Sequence, residues 1–378
     1  MKKMMMLTTT AYMSERFNRD NILILERMGY EVHVVANFDK GNPSTKEVLD
    51  SFQQWVEEHH GHCYSIAITA HPSDQKDFWN AYHQCMDLIE KNHYEFIHCH
   101  TPVGGVLGRL LGHKAHIKVM YTAHGFHFFD GAPLKNWLLF YPIEKFLSKW
   151  TDVLITITKE DYQRASSKFH AKQTVYLPGV GIDLSKFSAG IINRDAKRQE
   201  MGWKPDEKVI ISVGELSVRK NHEVMIRTLG QLNDKSVRYV ICGTGALEDK
   251  LKSLISELGL QERVQLLGYR TDISELCQAA DIFALPSLQE GLSVALMEAI
   301  ACKVPVVCSR IRGDVDLVTD ENYMFDPKSD KEAVKALKYA LKSDNAKTVT
   351  ENYEQLKACD IRNIDRMMSE SYKDIVCI

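Results

Sequence analysis

The sequence predicts an α/β protein of two doubly wound, Rossmann-like domains that face a central cleft. Three observations lead there. The chain has 378 residues, and at roughly 100–200 residues per domain this reads as two domains. Short apolar runs alternate with helix-period segments, the mark of a parallel sheet covered on both faces. The rhythm pauses once, at Pro178-Gly179-Val180-Gly181-Ile182-Asp183, where turn residues cluster, and then restarts.

Taken in order, strands are expected at 3–8, 31–37, 62–68, 96–100, 117–122, 153–158 and 174–177. Helices fall between them at 17–28, 45–59, 78–91 and 103–113. After the pause comes a polar stretch, 193–200. A second series follows, with strands at 208–213, 237–242, 264–267, 282–285, 304–309 and 323–325. Its helices are at 222–231, 247–258, 273–280, 293–301 and 330–341. This gives a first domain at 1–182 and a second at 183–355. A C-terminal helix, 356–378, lies in a helical stretch, 351–375, that suits either domain and is expected to pack back on the first.

Composition excludes several classes. Lys and Arg total 47 against 50 Asp and Glu, a formal charge of −3, so no nucleic-acid partner held by electrostatics is expected. Apolar runs fall well short of the roughly 18–20 residues that span a bilayer. The start, Met1 to Thr8, lacks the apolar core of a signal peptide and reads as a buried strand. The nine cysteines are scattered, with no CxxC pair, which points to buried thiols in a reducing compartment and to no zinc site. Two asymmetries remain. Fourteen of the fifteen histidines lie between His33 and His170, and segment 109–172 carries ten Lys and Arg against five Asp and Glu.

Four stretches can carry chemistry. In 285–301 a strand ends at Pro286, a turn with Gly291 follows, and a helix begins. The free N–H groups of its first turn, at Leu292, Ser293 and Val294, suit a phosphate. Glu290 before the helix and Glu298 within it can accept paired hydrogen bonds from vicinal hydroxyls; equally, they can be a turn acid and a solvated helix residue. In Gly214-Glu215-Leu216-Ser217-Val218-Arg219-Lys220, the two cations can reach a diphosphate or form a solvated turn. The Gly243–Gly245 turn permits close backbone approach. His124, between a strand and Gly125, can hydrogen-bond a sugar or move a proton, or be a satisfied buried histidine. His98 and His100 share a strand face, but the sequence places no third ligand, so no metal is expected. Finally, 132–150 mixes Trp137, Tyr141 and Trp150 with Lys135, Lys145 and Lys149. This suits a lipid headgroup surface, or a helix docked on the first sheet.

With these residues assembled, the chain resembles glycosyltransferase family 4, and within it the bacterial capsular and exopolysaccharide group. The likeness rests on the E-x7-E pattern of Glu290 and Glu298 with Gly291, the strand Val304-Pro305-Val306-Val307, Lys220, the Gly243–Gly245 turn and the His124-Gly125 pair. There are departures. Glu215 stands where many relatives have arginine, with Arg219 as its substitute. Segment 8–14 replaces a glycine-rich loop, and Cys302-Lys303 replaces a small-residue turn.

The resemblance implies a metal-independent, retaining GT-B enzyme that takes a UDP-sugar and needs no cofactor. Arg219, Lys220 and residues 292–294 would neutralise the diphosphate. Glu298 would hold the ribose, Tyr269 and Arg270 would border the base, and Glu290 would grip the sugar. Gly214 and Gly243 would line the donor, and His124 would approach the donor sugar. The acceptor would be a polyprenyl-diphosphate-linked sugar, with peripheral membrane contact through 109–172 on the cytoplasmic face. Two alternatives are a sugar-nucleotide 2-epimerase acting on UDP-N-acetylglucosamine and a non-catalytic assembly partner.

Overall fold

A computed structural model describes residues 1–39, 42, 44–69, 75–187 and 192–377. The chain divides into two units, Met1–Val180 with Arg362–Ile378, and Gly181–Ile361. The first runs β1 (Lys2–Thr10), α1 (Ala11–Phe17), α2 (Arg19–Arg27), β2 (Tyr30–Asn37), α3 (Lys46–Glu58), β3 (His62–Ser65), α4 (Gln75–Asn92), β4 (Phe96–His100), α5 (Pro102–Ala115), β5 (Lys118–Ala123), α6 (Leu134–Leu147), β6 (Val153–Thr156), α7 (Lys159–Lys168) and β7 (Gln173–Tyr176). Its seven strands are parallel in the order β3-β2-β1-β4-β5-β6-β7.

β1 lies at the centre, so both of its faces are buried and it can be apolar throughout. Met4 and Met6 enter one core, Met5 and Leu7 the other, as the two-residue period of a strand requires.

The second unit runs α8 (Arg194–Glu200), β8 (Lys208–Val213), α9 (His222–Gly230), β9 (Val237–Cys242), α10 (Glu248–Glu257), β10 (Val264–Gly268), α11 (Ile273–Ala279), β11 (Ile282–Leu285), α12 (Val294–Ala301), β12 (Val306–Ser309), α13 (Asp314–Leu317), β13 (Met324–Phe325), α14 (Asp330–Lys342) and α15 (Ala346–Leu356). Its sheet order is β10-β9-β8-β11-β12-β13. The last helix, α16 (Ile361–Cys377), packs Ile364, Met368, Tyr372 and Ile375 into the first unit's core. The crossing falls later than 356 because Ile182 and Asp360 pair as a parallel bridge, which keeps the turn before α16 with the second unit.

Four sequence readings are corrected. The loop read at 8–14 is the end of β1 followed directly by α1. The helix read at 17–28 is α2, which starts at Arg19 because a break at Asn18 divides it from α1; Asn18 is a fully buried residue whose amide donates to the Met13 carbonyl and whose side-chain oxygen accepts from Asn21. The polar stretch 193–200 is α8, capped by Asn193. Its Lys197 and Arg198 are buried because Asp272, Glu275 and Asp281 pair with them. The helical stretch 351–375 is two helices, interrupted at 357–360.

All nine cysteines are free thiols. Among the described residues no helix is long and apolar enough to cross a membrane.

Candidate active site

In the second unit the strand order reverses between β8 and β11, and open α/β sheets bind ligands at the carboxyl edge of such a point. The turns leaving these two strands meet there. Lys220 Nζ donates to Glu290 Oε1 at 2.7 Å and Arg219 Nη1 to Oε2 at 2.9 Å. The Leu288 N–H donates to the Arg219 carbonyl. Glu290 is 9 % exposed, so its charge is held by these two cations rather than by water. The sequence names all three residues; the structure adds that they form one cluster.

The backbone around the cluster is close-fitting. Gly214 lies against the stem of Lys220, and Gly243 takes a φ of +149° with its Cα so near Gly214 that a Cβ would fall 1.9 Å from the Gly214 oxygen. Only glycine fits there.

The helix after Glu290 begins later than expected. α12 starts at Val294, with Ser293 as N-cap accepting from the Leu296 N–H. Leu292 therefore precedes the helix, and the uncapped first-turn N–H groups belong to Val294 and Ala295. Glu298 is half-buried in the second turn of α12, four residues after Val294. Tyr269 is 79 % exposed. Arg270 is bound through two nitrogens to Asp272 at 2.8 and 2.6 Å. That bond, with Lys197 on the same carboxylate, holds Asp272 well below the usual carboxylate range.

Three residues of this edge escaped the sequence reading. Asn221, in the left-handed region at φ 53°, donates to the carbonyls of Pro286 and Pro327 and so ties the turns after β8, β11 and β13 together. Arg312, buried, donates through Nε and Nη2 to the Glu290 carbonyl. Asp314 is fully buried beside it. The available signal was an Arg-Gly-Asp turn placed directly after a strand.

The first unit's edge is built from histidines. β4 and β5 are neighbours, and this brings His124 Nε2 to 3.2 Å from His100 Nδ1. His98 and His100 share a face with ring centroids 4.1 Å apart. His98 is fully bonded, Nδ1 to the Tyr372 hydroxyl and Nε2 to Thr122, each at 2.9 Å, and is therefore a satisfied core histidine.

Burial makes all three resist protonation. His98 is lowered to about 3 and His124 to about 4, and His100, also repelled by its two neighbours, lies well below the ordinary value. His124 as a residue is half-buried. Among the described residues, the one group with metal-ligand geometry is Glu31, His33 and His62. It sits on β2 and β3, apart from this edge, with Lys3 3.7 Å from the same Glu31 oxygen.

α6 presents an unusual face. Trp137, Phe140 and Tyr141 pack against the first core, so for these aromatics the docked-helix alternative holds. Leu134, Leu138, Leu139, Ile143 and Phe146 are exposed, from 40 to 73 %. Full burial of such a side chain is worth about 1.5–3 kcal/mol.

Two Rossmann-like sheets, one ending in a carboxylate clamped by two cations beside a helix N-terminus, are the frame of an enzyme that transfers sugars. The chain belongs to glycosyltransferase family 4. Residues 15–186 match the Glycosyltransferase Family 4 model and residues 193–357 the model of glycosyl transferases group 1. A Bacillus subtilis (strain 168) protein named as a glycosyltransferase, EpsD, is 36% identical over 84% of this chain and 81% of its own. The UDP-Gal:alpha-D-GlcNAc-diphosphoundecaprenol alpha-1,3-galactosyltransferase of Escherichia coli is 32% identical over 62% of each chain. The crystal structure of HepE from Anabaena in complex with UDP superposes with a TM-score of 0.76 at 20% identity, covering 99% of this chain and 100% of that one. This last likeness bears on the fold, which is GT-B.

Proposed function

We propose that this glycosyltransferase moves a sugar from a UDP-sugar to a polyprenyl-diphosphate-linked saccharide in capsule or exopolysaccharide synthesis, with retention of configuration and without a metal ion. The observation that carries the reading is the Arg219–Glu290–Lys220 cluster beside the N-terminus of α12. The names of the E. coli relative and of the UDP complex support the choice of donor and acceptor.

In this reading the donor diphosphate takes Arg219 and Lys220 from Glu290. The first-turn N–H groups at Val294 and Ala295 share its charge, and the leaving group is stabilised electrostatically. The freed Glu290 carboxylate accepts from the sugar hydroxyls and Glu298 from the ribose hydroxyls. The backbones of Gly214, Gly243 and Gly291 line the donor, and those of Tyr269 and Arg270 border the base. The acceptor hydroxyl attacks the anomeric carbon on the face from which UDP departs. The C1–O bond breaks, its electron pair passes to the diphosphate, and a diphosphate oxygen takes the acceptor proton. His124, held neutral, hydrogen-bonds the sugar.

The acceptor is reached from an anionic membrane surface on the cytoplasmic side. The exposed face of α6 lies against it, with Lys135, Lys145 and Lys149 supplying the attraction to anionic headgroups.

Mass spectrometry of products from a panel of UDP-sugars and polyprenyl-diphosphate acceptors tests the reaction. An elongated lipid-linked product is expected. Conversion of UDP-N-acetylglucosamine without acceptor would instead identify an epimerase. Flotation with anionic liposomes is expected to carry the protein and to release Leu138→Asp; equal flotation on neutral and anionic liposomes would remove the role of the lysines, and no flotation on either would remove the membrane assignment.

A further inference from the structure

The turn after β12 carries an acid for which the reaction just described has no task. Asp314 has no accessible surface, and neither of its carboxylate oxygens has a hydrogen-bond partner. Gly313 before it, at φ +85°, sits so close to Gly291 that a Cβ would fall 1.6 Å from the Gly291 oxygen. Arg312 before that grips the Glu290 carbonyl. Arg312 and Gly313 thus bear directly on Glu290–Gly291, and Asp314 comes next, next to the Glu290 charge. Four further buried polar atoms without partners occupy the same carboxyl edge: Ser217 Oγ, His222 Nε2, Ser287 Oγ and Ser309 Oγ.

A buried carboxylate without hydrogen bonds is far costlier than the corresponding acid. We propose that Asp314 is a positioning residue that stands beside Glu290 as a neutral acid, so that Arg219 and Lys220 keep their excess positive charge for an anionic leaving group. This rests on the donor site described above.

The charge balance gives the reason. Two cations face one carboxylate, Glu290, and the surplus is what a diphosphate needs. An ionised Asp314 would cancel it and would compete for Lys220.

The surroundings agree. Burial, then Glu290, push the Asp314 carboxyl well above its ordinary value; Lys220 pulls it down and Asp316 on the same helix pushes it up. From β12, Cys308 lies close enough to Asp314 that an ionised carboxyl there would raise its thiol, and Arg310 acts on that thiol in the opposite sense. α15, which packs on α13, spends Glu351 and Asn352 on Thr319.

The test compares the wild type with Asp314→Asn, which has the same shape and cannot ionise, using UDP as the probe. Calorimetry across neutral and alkaline pH is expected to show wild-type affinity falling several-fold on the alkaline side, and D314N not falling. Melting curves give a second readout. Because the folded-state pKa is raised, the wild type is fully stable with respect to this group below about pH 3.8 and loses stability as pH rises. D314N should therefore melt higher than the wild type at alkaline pH, and the two should converge near pH 4. The same alkaline fall in both proteins, or parallel melting curves, would overturn the proposal. If UDP binds neither protein at any pH, the nucleotide reading fails, and the melting comparison still decides the state of Asp314.

Discussion

Both sheets end in turns that gather polar side chains, but the first gathers rings that burial holds neutral, whereas the second centres on a carboxylate bonded to two cations. At the first edge His98 and His100 are buried and His124 is half-buried against them, and desolvation forces each toward its uncharged form. At the second, Glu290 is also largely shielded from water but is bonded to Arg219 and Lys220. The difference lies in what is at hand to compensate. A histidine loses its charge cheaply, whereas a carboxylate between two cations gains by keeping it. A charged edge suits a diphosphate leaving group; a neutral edge of hydrogen-bonding rings suits sugar hydroxyls.

The largest effect should come from breaking the charged edge. Glu290→Ala or Lys220→Ala is expected to lower transfer by about a thousandfold, the scale of losing a main electrostatic contact in a transition state, with an unchanged circular dichroism spectrum. Near-wild-type turnover in either variant would show that the cluster is structural.

Next comes the turn that braces it. Gly313→Ala places a Cβ against the Gly291 oxygen at a positive φ, so a loss of about 3 kcal/mol is expected in denaturant unfolding. A smaller change than Gly29→Ala, whose Cβ would meet nothing within 4 Å, would mean that the turn yields easily.

The mildest test is acid. The first unit's histidines have folded-state values depressed below 6.5, so their contribution is intact above that pH and is lost as pH falls toward about 4. The second unit has one such group, His222, lowered to about 4, and Asp314 works against it by gaining stability as pH falls. Hydrogen exchange should therefore show the first unit's sheet loosening before the second's on acidification. The reverse order would contradict the contrast between the two edges.

Much of this could be read from the sequence. The strand–helix rhythm is legible because a buried parallel strand must be apolar on both faces, as Met4 to Leu7 are. Glu290 and Lys220 stand out because turns at strand ends concentrate chemistry, and Glu298 stands out by its spacing from Glu290 along the helix that follows. α8 was missed because its buried side chains are Lys197 and Arg198, whose partners are far along the chain. The aromatics of α6 stayed open between a surface and a docked helix because periodicity alone does not say which face a helix buries.

The sequence by itself determined two doubly wound units and the residue types at the turn after each strand, since both follow from local periodicity and turn chemistry. Only the tertiary structure decided that Glu290 is clamped by Arg219 and Lys220, that Tyr372 of the last helix locks His98, and that Arg312 and Gly313 brace the Glu290–Gly291 turn. Those contacts join residues about 20 to more than 200 positions apart. They depend on which strands become neighbours and on what burial then does to charge, and no local pattern carries that information.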